Sequence, residues 1–70
     1  MRIEVVYALA DKSELVKLDL PDGSTVLQAV EASGLLAKHP EIDVKKNKFG
    51  IYAKLAKADA ELREQDRVEI

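Results

Sequence analysis

One stretch of this chain carries helix punctuation at both ends, and the rest must be built around it. Thr25-Val26-Leu27-Gln28 has the spacing of a capping box, with the Thr hydroxyl accepting from the N3 amide and the Gln side chain reaching back to the cap residue's amide. A helix is therefore expected to start at Val26. Gly34 suits the left-handed position just past a helix end, and Leu35 beyond it can fold back on Val30. Val26, Leu27, Ala29 and Val30 share one side at helical spacing, while Gln28, Glu31 and Ala32 face water. A single short amphipathic helix must bury that stripe against another layer.

The flanking segments supply a sheet. Ile3, Val5, Tyr7 and Leu9 alternate against Arg2, Glu4, Val6 and Ala8, a period of two in β-favouring residues. Across the polar Ala10-Asp11-Lys12-Ser13 turn, Val16, Leu18 and Leu20 alternate against Lys17 and Asp19, so the two runs read as a hairpin with one buried face. Pro21-Asp22-Gly23 reverses the chain ahead of the helix. After the helix, Pro40 in His39-Pro40-Glu41-Ile42-Asp43 forces an irregular connection. Lys48 to Tyr52 gives a third strand, in which Gly50 marks a bulge or a close backbone approach. Arg67-Val68-Glu69-Ile70 alternates again, with Val68 and Ile70 inward. Between them, Ala53 to Glu64 has the propensity of a helix and no clear pattern of one, and it stays unassigned.

This order predicts an α+β fold in one domain spanning residues 1–70. If the last strand lies beside the first, the result is a β-grasp (ubiquitin-like) arrangement, a mixed sheet of four to five strands with one main helix across one face. Seventy residues leave room for one core, and with no cysteine that core rests on apolar packing alone. Apolar runs are short and broken by charge, which argues against a membrane span of about 18 or more residues. Met1-Arg2 leads straight into alternation without a leader-like apolar stretch, so a cytoplasmic, soluble protein is expected. A net charge of -2 gives little long-range attraction to nucleic acid or anionic lipid. Neither nucleic acid nor membrane insertion is expected among its interactions.

Chemistry finds few handles. His39 is the sole histidine, so neither a nucleophilic relay nor a multi-histidine metal site assembles readily, and it reads as a solvated loop residue beside Glu41 and Asp43. The carboxylate pairs Asp59/Glu61 and Glu64/Asp66 read as solvated charges, and Tyr7 and Tyr52 as half-buried sheet residues. Gly23, Gly34 and Gly50 are too far apart to cradle a phosphate. No catalytic residue, cofactor or metal ligand is expected. The open sheet face or a strand edge is the expected binding surface, with Lys45, Lys46 and Lys48 as an electrostatic rim for a protein partner.

Several runs taken in order resemble one family. Val5-Val6-Tyr7-Ala8-Leu9, Thr25-Val26, Ser33-Gly34-Leu35-Leu36, His39 to Asp43, Asn47-Lys48-Phe49-Gly50-Ile51-Tyr52 and Asp66-Arg67-Val68-Glu69-Ile70 together look like the RnfH family of bacterial proteins. The resemblance covers nearly the whole chain and implies a ubiquitin-like fold and a bacterial cytoplasmic origin. Family members are named for association with the Rnf electron-transport genes, and some as the RatB partner of the RatA toxin-type protein. Two departures stand out. Gln65 occupies a place where the family usually has Gly, so a less tight final turn is expected, and the family pattern continues past Ile70 with a Tyr-Arg-Pro-Leu type segment and a basic tail, which implies a longer native chain. The function expected is a non-catalytic, monomeric interaction or adaptor module. The rival is a sulfur carrier of the ThiS or MoaD kind, disfavoured because those proteins end in a flexible Gly-Gly that Ile70 does not provide.

Overall fold

A computed structural model describes all residues, Met1–Ile70. The chain runs β1 (Arg2–Ala8), β2 (Ser13–Asp19), α1 (Val26–Ala32), α2 (Leu35–Lys38), β3 (Phe49–Ile51), β4 (Lys54–Ala56) and β5 (Arg67–Glu69). The strands form one sheet in the order β2-β1-β5-β3-β4. β1 pairs antiparallel with β2 and parallel with β5, and β3 pairs antiparallel with both β5 and β4. The sheet is therefore the expected mixed β-grasp sheet, with first and last strands adjacent at its centre.

The period-two pattern decides which side of this sheet is dry. Ile3 and Val5 of β1, Phe49 of β3 and Val68 of β5 are buried, and Val26, Ala29, Val30 and Leu35 close over them. Fully burying each of the larger aliphatic side chains contributes roughly 1.5–3 kcal/mol. The helix turns Val26, Ala29 and Val30 inward as expected, but Leu27 is half-buried and lies outside the core. Positions i, i+3 and i+4 make the stripe here, and position i+1 falls to its side.

Both helix signals hold. Gln28 N donates to Thr25 Oγ1 at 3.3 Å and Thr25 N to Gln28 Oε1 at 2.8 Å, which completes the capping box. Gly34 sits at φ 78°, and the chain then makes one further helical turn, α2, whose buried residue is Leu35.

The unassigned segment has two jobs that a helix there could not do. Tyr52 and Ala53 both take positive φ, 48° and 68°, and Ile51 faces Lys54, so a two-residue hairpin turn carries β3 into β4. Beyond β4 the chain crosses the start of α1, where Val26 N donates to Ala60 O at 3.0 Å and Leu27 N to Ala58 O at 2.9 Å. With the capping box, these carbonyls satisfy the first three helical N–H groups, which would otherwise lack partners. Glu61 bridges Thr25, and Leu62 buries in the core. The expected close approach at Gly50 is also present, since a Cβ there would stand 3.1 Å from the Lys54 carbonyl oxygen.

Gln65 keeps the conformation that a glycine would favour, with φ 66°. Its backbone is held from both sides, because its N–H donates to Arg2 O at 2.7 Å and its carbonyl accepts from the Tyr52 hydroxyl at 2.6 Å. The looser turn expected from Gln65 is not seen, since Asp66 N donates to Arg63 O across it at 3.1 Å, and the cost is local strain of about 1–2 kcal/mol for a non-glycine residue. Glycine would relieve it at an entropic cost of about 0.5–1 kcal/mol. Gln65→Gly is therefore expected to raise stability modestly, by about 0.5 kcal/mol, read as a higher urea midpoint at unchanged slope. A lower midpoint would show that the Gln65 side chain contributes contacts that outweigh the strain.

Candidate functional site

Two clusters of polar side chains concentrate on this small surface. The first surrounds His39, which follows α2 and lies against the far end of the β1–β2 hairpin. Its Nε2 lies 3.0 Å from Glu14 Oε2 and its Nδ1 3.4 Å from Glu41 Oε2, and the imidazole is 13% exposed. Lys38 Nζ reaches the other Glu14 oxygen at 3.1 Å, and the Tyr7 hydroxyl donates to Glu41 at 2.9 Å. The Tyr7 and His39 rings meet edge-on at 4.8 Å. His39 is therefore not the solvated loop residue expected from sequence but the centre of a network that fastens the hairpin to the chain after α2. Partners 25 and 34 residues apart in sequence make it, so no local pattern announced it.

The cluster ties three segments of the chain together. The two carboxylates engage opposite nitrogens of the ring and do not converge on one point, and no group of three or more His, Asp or Glu is arranged to hold a metal ion. Hydrogen bonding from His39, then from Lys38, holds the Glu14 carboxyl below its ordinary value. Glu41 is likewise lowered, first by a backbone N–H and then by the Tyr7 hydroxyl, and Tyr7 is raised chiefly by that same bond to Glu41. A carboxyl depressed in the fold stabilises it above the ordinary value of 4.5 and loses that contribution as pH falls through the lower folded value. Stability is thus expected to fall with acidification below about pH 4.5, and Glu14→Gln to flatten that slope; equal slopes for the two proteins would remove Glu14 from the account.

The second cluster occupies the sheet face that the helix leaves open. Residues out of phase with the core alternate there, and Arg2, Glu4, Lys17, Asp19 and Arg67 line a shallow concavity of about 660 Å³ together with Tyr52. Arg67 Nε donates to Glu4 at 2.9 Å, and its guanidinium lies 5.9 Å from the Tyr52 ring centroid, in the range of a cation–π contact. The three large apolar side chains most open to water belong to this side as well. Leu15 is 48% exposed beside Val6, its cross-strand partner, Leu55 is 79% exposed opposite Gly50, and Tyr52 is 56% exposed. Tyr52 is hence an exposed turn residue and not a half-buried strand residue.

The expected lysine rim lies elsewhere. Lys45, Lys46 and Lys48 are exposed in the connection between α2 and β3, where Asp43 and Asn47 bond each other's backbone and the Lys45 N–H donates to Asp43 Oδ1 at 2.9 Å. None of the three has a carboxylate within ion-pair distance, and none lines the concavity. The cations that do line it, Arg2, Lys17 and Arg67, were legible as the polar phase of the strands, but their convergence depends on which strands pair. Of the two carboxylate pairs read as solvated charges, Glu64 and Asp66 also accept backbone N–H groups at the surface, Glu64 from Arg2 N at 2.8 Å and Asp66 from Arg63 N at 2.9 Å. No helix is long and apolar enough to cross a membrane.

Known proteins match this fold and sequence. The chain is 50% identical over its full length to Protein RnfH of Paraburkholderia phymatum, 47% to that of Methylococcus capsulatus and 50% to that of Klebsiella pneumoniae. It spans 64%, 74% and 73% of the lengths of those relatives. The putative molybdopterin converting factor subunit 1 of Pyrococcus furiosus superposes with a TM-score of 0.68, over 97% of this chain and 92% of that one, at 20% identity, and so shares the fold. The family described as RnfH family Ubiquitin matches residues 1–70, and with half the residues identical in curated relatives over that same span, the chain belongs to the RnfH family of ubiquitin-like proteins.

Proposed function

We propose that this chain is a non-catalytic protein-interaction module that docks a partner on the open face of its sheet. The observation that carries the reading is that Leu15, Tyr52 and Leu55, the three large apolar side chains most open to water, all lie on the side away from the helix, with Tyr52 lining a concavity walled by charges of both signs and Leu15 and Leu55 on the two edge strands. Tyr and Arg are enriched at the centres of protein interfaces, and here the Arg67 guanidinium lies 5.9 Å from the Tyr52 ring centroid on the open face. A cytoplasmic partner is the finer reading, drawn from the Rnf electron-transport proteins or a RatA-type toxin as the family resemblance implies. The geometry of His39 supports the absence of catalysis in this reading, since both of its nitrogens already face carboxylates.

Site-specific photo-crosslinking in bacterial cells tests it. A crosslinking residue at position 55 or 15 is expected to trap one protein reproducibly, and the same residue at the exposed helix position Glu31 is expected not to. Tyr52→Glu should reduce capture at position 55 by about tenfold, as expected for removal of a well-packed aromatic anchor. Equal capture from both faces, or none from the open face, would remove the proposal.

A further inference from the structure

β2 is the last strand on its side of the sheet, and it runs for seven residues without proline, glycine or bulge, in one-to-one register with β1. Hydrogen bonds beyond both ends of the pair fix which of its backbone groups are free. The Met1 ammonium donates to Leu20 O at 2.7 Å, Leu20 N to Met1 O at 2.9 Å, and Leu9 N to Lys12 O at 2.7 Å. Stepping inward by two from these pairs, Leu18, Val16 and Glu14 turn their N–H and C=O groups toward β1. Those of Ser13, Leu15, Lys17 and Asp19 point outward from the sheet, and all four residues are exposed. Donors and acceptors alternating along such a line, about 6.8 Å between equivalent groups, are matched by an extended chain. The opposite margin, β4, is three residues long and offers far less.

Charge selects what that chain should carry. On the open face Glu4 is bonded to Arg67, and Asp19 lies 3.5 Å from the amino terminus. Arg2 and Lys17, at diagonal positions of β1 and β2, line the same concavity with no carboxylate in ion-pair range. On the other side of the edge, Val16 and Leu18 are half-buried and leave an apolar margin. We propose that β2 accepts an extended peptide segment as a sixth strand, with an acidic side chain of the segment beside Lys17 and Arg2 and apolar side chains on the Val16 and Leu18 side. This deepens the protein-interaction reading and rests on it.

The probes are two capped eight-residue peptides, one alternating valine with glutamate and one alternating valine with lysine, titrated into the ¹⁵N-labelled full chain. The valine–glutamate peptide is expected to slow hydrogen exchange of the Leu15 and Lys17 amides at least tenfold, and to bind at least tenfold more tightly than the lysine peptide. Lys17→Glu should reverse that preference. Leu15→Pro removes an outward N–H while leaving the inward pairing, so it should abolish binding with the fold intact by circular dichroism. Equal binding of the two peptides, or no change with either at millimolar concentration, overturns the proposal. Shifts confined to Tyr52 and Leu55 would overturn the sixth strand while leaving the open-face reading standing.

Discussion

Leu35→Ala is expected to lower the unfolding free energy by about 3 kcal/mol, the middle of the range for truncating a buried leucine. Leu35 is 2% exposed and belongs to the cluster formed by Val26, Ala29 and Val30 from the helix with Ile3, Val5 and Val68 from the sheet. Its backbone position is pinned by Gly34 at φ 78° on one side and by the 2.7 Å bond from His39 N to its carbonyl on the other. The site therefore has little freedom to collapse around a smaller side chain. A domain of this size has a total stability of roughly 4–10 kcal/mol, so the loss is a large share of it. The melting temperature should drop by about 15 °C, given about 4–8 °C per kcal/mol for small domains. Leu36→Ala, at a half-buried neighbour, should cost about 1 kcal/mol on the same area reasoning. Urea unfolding of the two variants checks the contrast, and indistinguishable midpoints would mean that Leu35 does not close the core.

Gly50→Val is expected to destabilise by about 2 kcal/mol despite placing a β-favouring residue in a strand. Two effects oppose each other at this site. The intrinsic strand preference of valine over glycine is at most about 1 kcal/mol, whereas overpacking costs about 1–3 kcal/mol. Packing decides the sign because the nearest neighbour is backbone: the Lys54 carbonyl oxygen would lie 3.1 Å from the new Cβ and cannot rotate away. The next neighbour, at 3.6 Å, is Glu69 Oε1, which accepts the Ala53 N–H at 2.8 Å and so holds the turn between β3 and β4. The substitution strikes both the pairing and the group that stabilises the turn. Amide exchange in Lys54–Ala56 should accelerate before global stability is lost, and Gly50→Ala should show the same order with a smaller effect. A valine variant as stable as the parent would mean that the β4 backbone yields at little cost.

Elements whose local signals agree with their burial are legible from the residues alone. Strict alternation in β1 and β2, the Thr25–Gln28 box, Gly34 and the Val68 register each state within a few residues which face is dry, and they lead to the β-grasp arrangement once the last strand is placed beside the first. The path from Tyr52 to Asp66 is set by long-range packing. Helix propensity there is worth a few tenths of a kcal/mol per residue, less than burying Leu62 and supplying Ala58 and Ala60 carbonyls to the N–H groups of α1. Its turns also lack the usual glycines, since Tyr52, Ala53 and Gln65 take positive φ only because Glu69, Arg2 and the Tyr52 hydroxyl hold the backbone there. The two polar clusters are tertiary for the same reason. Glu14, His39 and Glu41 meet because the chain after α2 lies against the β1–β2 hairpin, and Arg67 comes to share a surface with Arg2 and Lys17 because the last strand lies beside the first; both contacts join residues far apart in sequence and form only with the core.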